Sequence, residues 1–173
     1  MVSTYKMENP LEKLKKSGLN SRLWGLIIQN PSISITDITN KVDRPLPNVS
    51  RALSQLRELK LVKVKLEEGK GGTIKMLFPS MKGYLEYMTK EGAFTDKELD
   101  TIDNFYFHPK NIKLLYRSTS EKELADPTLM FMKTAIINTK LLNKEVRKDK
   151  TYKEAFDNFM KVVIKHKKAF MNL

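Results

Sequence analysis

The chain has 173 residues, 32 Lys and Arg against 20 Asp and Glu, a formal net charge of +12 and 40% hydrophobic residues. That composition suits a globular protein with a core, and the charge favours an anionic partner over the plainer reading of a lysine-rich solubilising surface. The lack of Cys excludes disulfides, thiolate metal sites and cysteine nucleophiles; no apolar run reaches the roughly 18 residues of a membrane span, and "MVSTYKMENP" has no signal-peptide core, so a cytoplasmic protein is expected.

Residues 1–19 read as an arm ending at Pro10, followed by one or two helical turns, "LEKLKKSG", closed by Gly18. "NSRLWGLIIQN" places Leu23, Leu26 and Ile27 on one helical face, with Asn20 or Ser21 as its cap and Pro31 as its end. "SISI" (Ser32–Ile35) alternates like a short edge strand. Thr36 is expected to cap the next short helix, in which Ile38 and Val42 lie one turn apart. The prolines of "DRPLP" make it a turn, and Pro47 can open the helix that follows.

That helix, over 47–60, holds the most informative stretch, "NVSRALSQLRELKLV". Val49, Leu53, Leu56 and Leu59 form a buried stripe, while Asn48, Arg51, Gln55 and Glu58 form a polar row on another face. Val62, Val64 and Leu66 then alternate with Lys63 and Lys65, and Ile74, Met76 and Phe78 with Thr73, Lys75 and Leu77. Period two on both sides of "EEGKGG" predicts a β-hairpin with a long, mobile tip. "PSMKGYLEYMTKE" returns to helix, and 92–173 shows no strand pattern. Three parts are therefore expected: an arm and helix over 1–19, a helix-rich domain with a hairpin over 20–91, and an α-helical extension over 92–173. Residues 1–91 hold 16 basic and 9 acidic residues, a net +7; residues 92–173 hold 16 and 11, a net +5.

Helix, short strand, helix, turn, helix and hairpin is the order of a winged helix-turn-helix. "ISITDITNKVDRPLPNVSRALSQLRELKLVKVKLEEGKGGTIKMLFPSMKGYLEYM" resembles the DNA-binding domain of MarR- and ArsR-type transcriptional regulators. "NVSRALSQLRELKLV" resembles their recognition helix and first wing strand. "FPSMKGYLEYM", with Gly83, resembles the passage from the second wing strand to a helix. The resemblance covers roughly residues 20–90, about 40% of the chain. It implies a fold that is mainly α with a small β-hairpin wing and a C-terminal α-helical region. The chain lacks the Asp-x-Arg wing feature of many MarR proteins and the cysteines of metal-sensing ArsR proteins, so no metal effector and no cofactor is expected, and the residues identify no small-molecule effector.

On that reading, Pro47, Asn48, Ser50, Arg51, Ser54 and Gln55 face the major groove of double-stranded DNA. Arg can donate two bonds to a guanine edge, and Asn or Gln can both donate to and accept from adenine. Lys63, Lys65, Lys70 and Lys75 would grip the flanking backbone or minor groove from the wing, Arg44 would clamp a phosphate, and Thr36 would either hold a phosphate at a helix N-terminus or serve only as a cap.

In the extension, Thr95 and Glu98 form a capping-box pattern. Long helices are expected over 128–146 and 151–173. Tyr152, Phe156, Phe159, Val163, His166 and Phe170 repeat at four and three, an a/d seam that must be buried. Tyr152, Phe156, Phe159, Val163 and Phe170 are expected either to build a homodimer, as flanking helices do in the resembled regulators, or to pack on the 128–146 helix. The lysines of the last helix would also suit a membrane surface, but the seam is too regular for that to lead. "FYFHP" (Phe105–Pro109) reads as a core junction, with an aromatic ligand pocket as the alternative. His108 and His166 stand apart in no catalytic or ligand pattern, and "EEGKGGT" lacks the glycine spacing of a phosphate-binding loop, so no enzyme is expected. The leading expectation is a sequence-specific, double-stranded-DNA-binding transcriptional regulator. The alternatives are an architectural, replication or plasmid-partition protein of low sequence specificity, and a winged helix used for protein–protein interaction.

Overall fold

A computed structural model describes residues 8–90, 92–118, 144 and 146–171. These are mainly helical, with one small antiparallel sheet. In chain order the elements are α1 (Pro10–Lys15), α2 (Gly18–Gln29), β1 (Ile33–Ser34), α3 (Ile35–Val42), α4 (Leu46–Glu58), β2 (Val62–Gly69), β3 (Gly72–Pro79), α5 (Lys82–Met88), α6 (Asp96–Tyr106), α7 (Pro109–Ser118), α8 (Lys150–Lys165) and α9 (Lys167–Met171).

Several boundaries differ from the sequence reading, each for a local reason. Pro10 opens α1 behind an Asn9 cap, where its missing N–H costs nothing. Gly18 opens α2 instead of closing α1: Ser17 caps α2 by accepting the Asn20 amide, so neither Asn20 nor Ser21 is the cap. Ser34, not Thr36, caps α3; its Oγ accepts the Asp37 amide at 3.0 Å and donates to Asp37 Oδ2 at 2.7 Å. The strand of "SISI" shortens to two residues. α4 ends at Glu58, two residues early, because Lys60 takes the left-handed conformation (φ 55°). Lys60 N–H bonds to Arg57 O, and Leu61 N–H to Leu56 O. That pair is the hydrogen-bond signature of a Schellman stop, here without its usual glycine.

The sheet has strand order β1-β3-β2. Ile33 lies opposite Leu77, and the hairpin ladder runs from Val62↔Pro79 to Gly69↔Gly72. Only Lys70 and Gly71 remain for the turn. The long tip expected at "EEGKGG" is thus a tight one, because Glu67, Glu68 and Gly69 pair instead of looping. The register also decides which face is buried. Val62, Leu77 and Ile33 face the helical core, whereas Lys63, Lys65 and Glu67 share the other face with Phe78, Met76 and Ile74. On β3, then, Leu77 is the core residue, and Ile74 is 43% exposed.

The buried residues of α1–α5 and of the later helices form one continuous cluster. Trp24 of α2 meets Phe107 edge-on at 5.9 Å. Gly83 of α5 lies against the α4–β2 turn, with its N–H donating to Lys60 O at 3.0 Å; a Cβ there would stand 1.8 Å from Leu59 O.

α8 packs antiparallel on α6. Phe105 stacks on Phe159 (4.4 Å between ring centres) and on Tyr152 (5.9 Å), with Phe156 edge-on. At the other end Glu98 accepts from Lys165 Nζ at 2.5 Å, from the Thr95 amide at 3.0 Å, and lies 3.0 Å from His166 Nε2. The expected capping box at Thr95 is present, and Glu98 extends it into a clamp between two helices. The Lys165 ammonium first, then the Thr95 amide, hold the Glu98 carboxyl down at about 2. The long last helix breaks at His166, which caps α8, so Phe170 belongs to α9.

Two outcomes follow for stability. Gly25 of α2 has open space where a Cβ would sit, so Gly25→Ala should stabilise the fold by about 0.5–1 kcal/mol. Gly83→Ala should instead destabilise it by about 2 kcal/mol or more, because the obstacle is backbone; urea unfolding of both variants checks the opposite signs. Because the folded value of Glu98 lies below its ordinary 4.5, its stabilisation is complete above about pH 4.5 and is lost as pH falls towards 2. Glu98→Gln should melt below the native protein at neutral pH, with the gap closing across that acid window.

Candidate nucleic-acid interface

α4 is amphipathic as its spacing requires. Val49, Ala52, Leu53 and Leu56 are buried, while Pro47, Asn48, Ser50, Arg51, Ser54 and Gln55 are exposed, as are Leu46, Arg57 and Glu58. Asn48, Arg51 and Gln55, joined by Arg44 from the preceding turn, line one shallow concavity of about 440 Å³. Its opposite wall is Ser17, Leu19 and Asn20, at the start of α2. Arg44 and Arg51 form no ion pair or side-chain hydrogen bond with the described residues, so both guanidiniums stay available to an acceptor from outside.

Gln55 is not equally free. Asn20, 5% exposed, donates its side-chain Nδ2–H to Gln55 Oε1 at 2.9 Å. The sequence reading missed Asn20 as part of this surface. The signal was there: Asn20 lies three and seven residues before Leu23 and Ile27, so it is a polar group on a buried stripe, which needs a partner.

The hairpin lysines separate into two groups. Lys65, Lys70 and Lys75 are exposed, with Lys70 in the turn and Lys65 Nζ 4.9 Å from the centre of the Phe78 ring. Lys63 is committed elsewhere. Its Nζ lies 2.8 Å from Asp100 Oδ1 and 2.8 Å from Asp103 Oδ2, both on α6. Burial alone would lower Lys63, but the two carboxylates outweigh it and hold the ammonium above the ordinary lysine value. Asp103 is 5% exposed and also accepts the Met81 amide at 2.8 Å; burial raises its carboxyl above the usual range, against the pull of Lys63. Lys63 therefore faces α6 and is removed from the expected contact set.

Thr36 is exposed on the second residue of α3 and does not bind the helix end itself. The positive end of α3 is already served by the Asp37 carboxylate, which disfavours a phosphate there.

The seam expected to hold a dimer is used within the chain. Tyr152, Phe159 and Phe170 are buried, and Phe156 and Val163 are partly buried against the same core. Tyr152, Phe156 and Phe159 pack on Phe105 of α6, and Phe170 on Phe94 and Phe159; the expected 128–146 helix lies outside the described residues except for Lys144 and Val146. Tyr152 Oη donates to Asn111 Oδ1, and Asn111 Nδ2 donates to Phe105 O at 2.6 Å, so buried polar groups register this packing. "FYFHP" contributes Phe105 and Tyr106 to the same core, and His108 Nδ1 accepts the Lys110 amide at 3.2 Å in the first turn of α7. Phe107 lines a separate, mainly apolar hollow of about 320 Å³ with Ile28, Pro31, Pro109 and Ile112. Among the described residues no helix is long and apolar enough to cross a membrane.

No protein-family model matches the chain, and no curated protein matches its sequence.

Lys63→Met keeps the aliphatic stem but leaves Asp103 buried without its cation. It should cost about 3 kcal/mol, the low end for a broken buried pair because Lys63 keeps 31% exposure. Lys65→Met and Lys75→Met should each change stability by less than about 0.5 kcal/mol. Chemical denaturation of the three variants separates the structural lysine from the surface ones.

Proposed function

We propose that this chain is a winged helix-turn-helix protein that binds double-stranded DNA sequence-specifically, as a transcriptional regulator does. α4 is the recognition helix, and the hairpin of β2 and β3 is the wing. The observation that carries the reading is the concavity on α4, where Arg44 and Arg51 stand uncompensated beside Asn48 on the exposed face of an amphipathic helix. A helix of this kind fits the major groove, where a guanidinium can bond twice to a guanine edge.

The contact set is narrower than the sequence suggests. Arg51, Asn48 and Gln55 read bases, with Ser50 and Ser54 beside them; Arg44 holds a phosphate; Lys70, Lys65 and Lys75 follow the flanking backbone. Lys63 and Thr36 are left out. A homodimer, if the bound site is a palindrome, uses a surface other than the α6–α8 seam, whose rings already have partners.

The test is selection of bound sequences from a random duplex pool at near-physiological salt. An enriched motif is expected. Arg51→Ala should then weaken binding to that motif by about 1–3 kcal/mol, with little change on unrelated duplex. Lys70→Ala should weaken both alike and lower the salt dependence of binding. Binding without enrichment would instead identify a backbone-directed architectural or partition protein, and no binding would leave a protein-interaction module.

A further inference from the structure

The hairpin leaves one long strand edge uncovered. In the order β1-β3-β2, β3 is central and β2 pairs along one side only. The ladder determines which backbone groups that edge presents. The Ser80 amide donates to Leu61 O at 2.8 Å, so Leu61 and Ser80 form a hydrogen-bonded pair, and in an antiparallel ladder such pairs recur at every second residue. Lys63, Lys65, Glu67 and Gly69 therefore turn their N–H and C=O groups towards β3, and Val62, Val64, Leu66 and Glu68 turn theirs outward. The same alternation holds on β3: Leu77, opposite Val64, accepts the Ser32 amide at 3.0 Å on the side away from β2. Edges of this length are usually blunted by a proline, a bulge or charge. β2 has no proline, and its register with β3 runs unbroken. Its exposed middle is a cation, an apolar group and an anion in succession: Lys65, Leu66 and Glu67, with Leu66 66% exposed.

We infer that the outer edge of β2 is a homodimer surface, on which a second copy of the chain adds its own β2, antiparallel, about a two-fold axis at Leu66. The outward backbone groups of Val64, Leu66 and Glu68 then pair with those of Glu68, Leu66 and Val64 of the second copy, and two hairpins become one sheet. The exposed Leu66 side chains meet at the axis. On the other face Lys65 stands opposite Glu67 of the second copy in a close, non-hydrogen-bonded pair, and symmetry makes that pair twice. Neighbouring registers fail on charge. An axis at Lys65 or at Glu67 sets that residue against itself, an axis at Val64 sets Lys63 against Lys65, and an axis at Glu68 sets glutamate against glutamate. The charges that blunt this edge towards other strands thus select one self-pairing. The inference does not depend on the DNA-binding reading and goes beyond it by naming the surface that joins two copies. Where both hold, Lys65 serves the pairing, and Lys70 and Lys75 remain for the flanking backbone.

The experiment is sedimentation velocity of the full chain over a concentration series at low salt, without DNA. The native protein should pass from monomer to dimer as concentration rises, since an edge pairing is smaller than a standard interface. Lys65→Glu and Glu67→Lys should each weaken self-association by roughly tenfold or more, because both symmetry-related pairs change from opposite to like charge. Mixed in equal amounts, these two variants should form a heterodimer of near-native strength, since each Glu of one then meets a Lys of the other. The double variant Lys65→Glu/Glu67→Lys should self-associate like the native chain, with the pair reversed. Leu66→Lys should leave a monomer, with two ammonium groups brought together at the axis. A native chain that stays monomeric at every concentration overturns the inference. So does a dimer that keeps its strength in both single charge variants, which places the interface elsewhere. Weakening that neither the mixture nor the double variant rescues overturns it too, because the charges then act without facing each other. With no DNA present, each of these failures leaves the DNA-binding reading to its own selection experiment.

Discussion

The contact on which the architecture turns is the buried carboxylate of Asp103. It receives the Met81 amide at the entrance to α5 and the Lys63 ammonium from the base of the hairpin, and it sits on α6, whose other face carries Phe105 and Ile102 into the core. One side chain therefore joins the end of the sheet, the start of α5 and α6. Burying a carboxylate is costly unless cations and N–H groups meet it, and each group that meets Asp103 comes from a different element. The elements must be placed together or the charge is left alone. A second polar device, Tyr152 to Asn111 to the Phe105 carbonyl, fixes the register of α8 on α6 in the same way. The stacked rings supply attraction and the buried hydrogen bonds supply the choice of one arrangement.

Much of this was legible in the residues. The stripe of Val49, Leu53 and Leu56, the hairpin on either side of "EEGKGG", the Thr95–Glu98 capping box and the need to bury Tyr152 and Phe159 all follow from spacing and residue type. What was not legible depends on a partner distant in the chain. Lys63 reads as a wing lysine until β2 and α6 are brought together, because nothing in "LVKVK" shows that two carboxylates about 40 residues later will face it. The seam reads equally well as a dimer or as an internal layer, since an a/d pattern demands a surface without saying whose. The end of α4 was misplaced because its Schellman stop uses Lys60 where glycine is usual. That residue is held by its Glu86 ion pair at 2.5 Å and by the close approach of Gly83. The cap of α3 was misassigned by two residues because Ser34 and Thr36 are both good caps, and only the path of β1 decides between them.

The candidate interface shows the same division. Exposure of Arg51 and Asn48 on one face of α4 could be read from a helical wheel. That Gln55 is engaged from behind could not, because Asn20 lies 35 residues earlier on another helix. The surface that a ligand would meet is composed partly by a nearly buried side chain on another helix, and a list of exposed residues describes its chemistry incompletely.

The tight turn at Lys70 and Gly71 has a mechanical consequence. With pairing complete out to Gly69↔Gly72, the hairpin is a two-stranded ribbon anchored at one end, and Lys70 stands about 23 Å along the strand from Lys63 at the usual rise per residue. Such a ribbon acts as a lever with its fulcrum at the Lys63–Asp103 contact. A tilt of roughly 5° at the fulcrum carries the tip sideways by about 2 Å over that length, comparable to the gain or loss of a hydrogen bond. The direction in which the tip lysine points is thus governed from the interior, by a carboxylate on a helix that follows the hairpin in the chain.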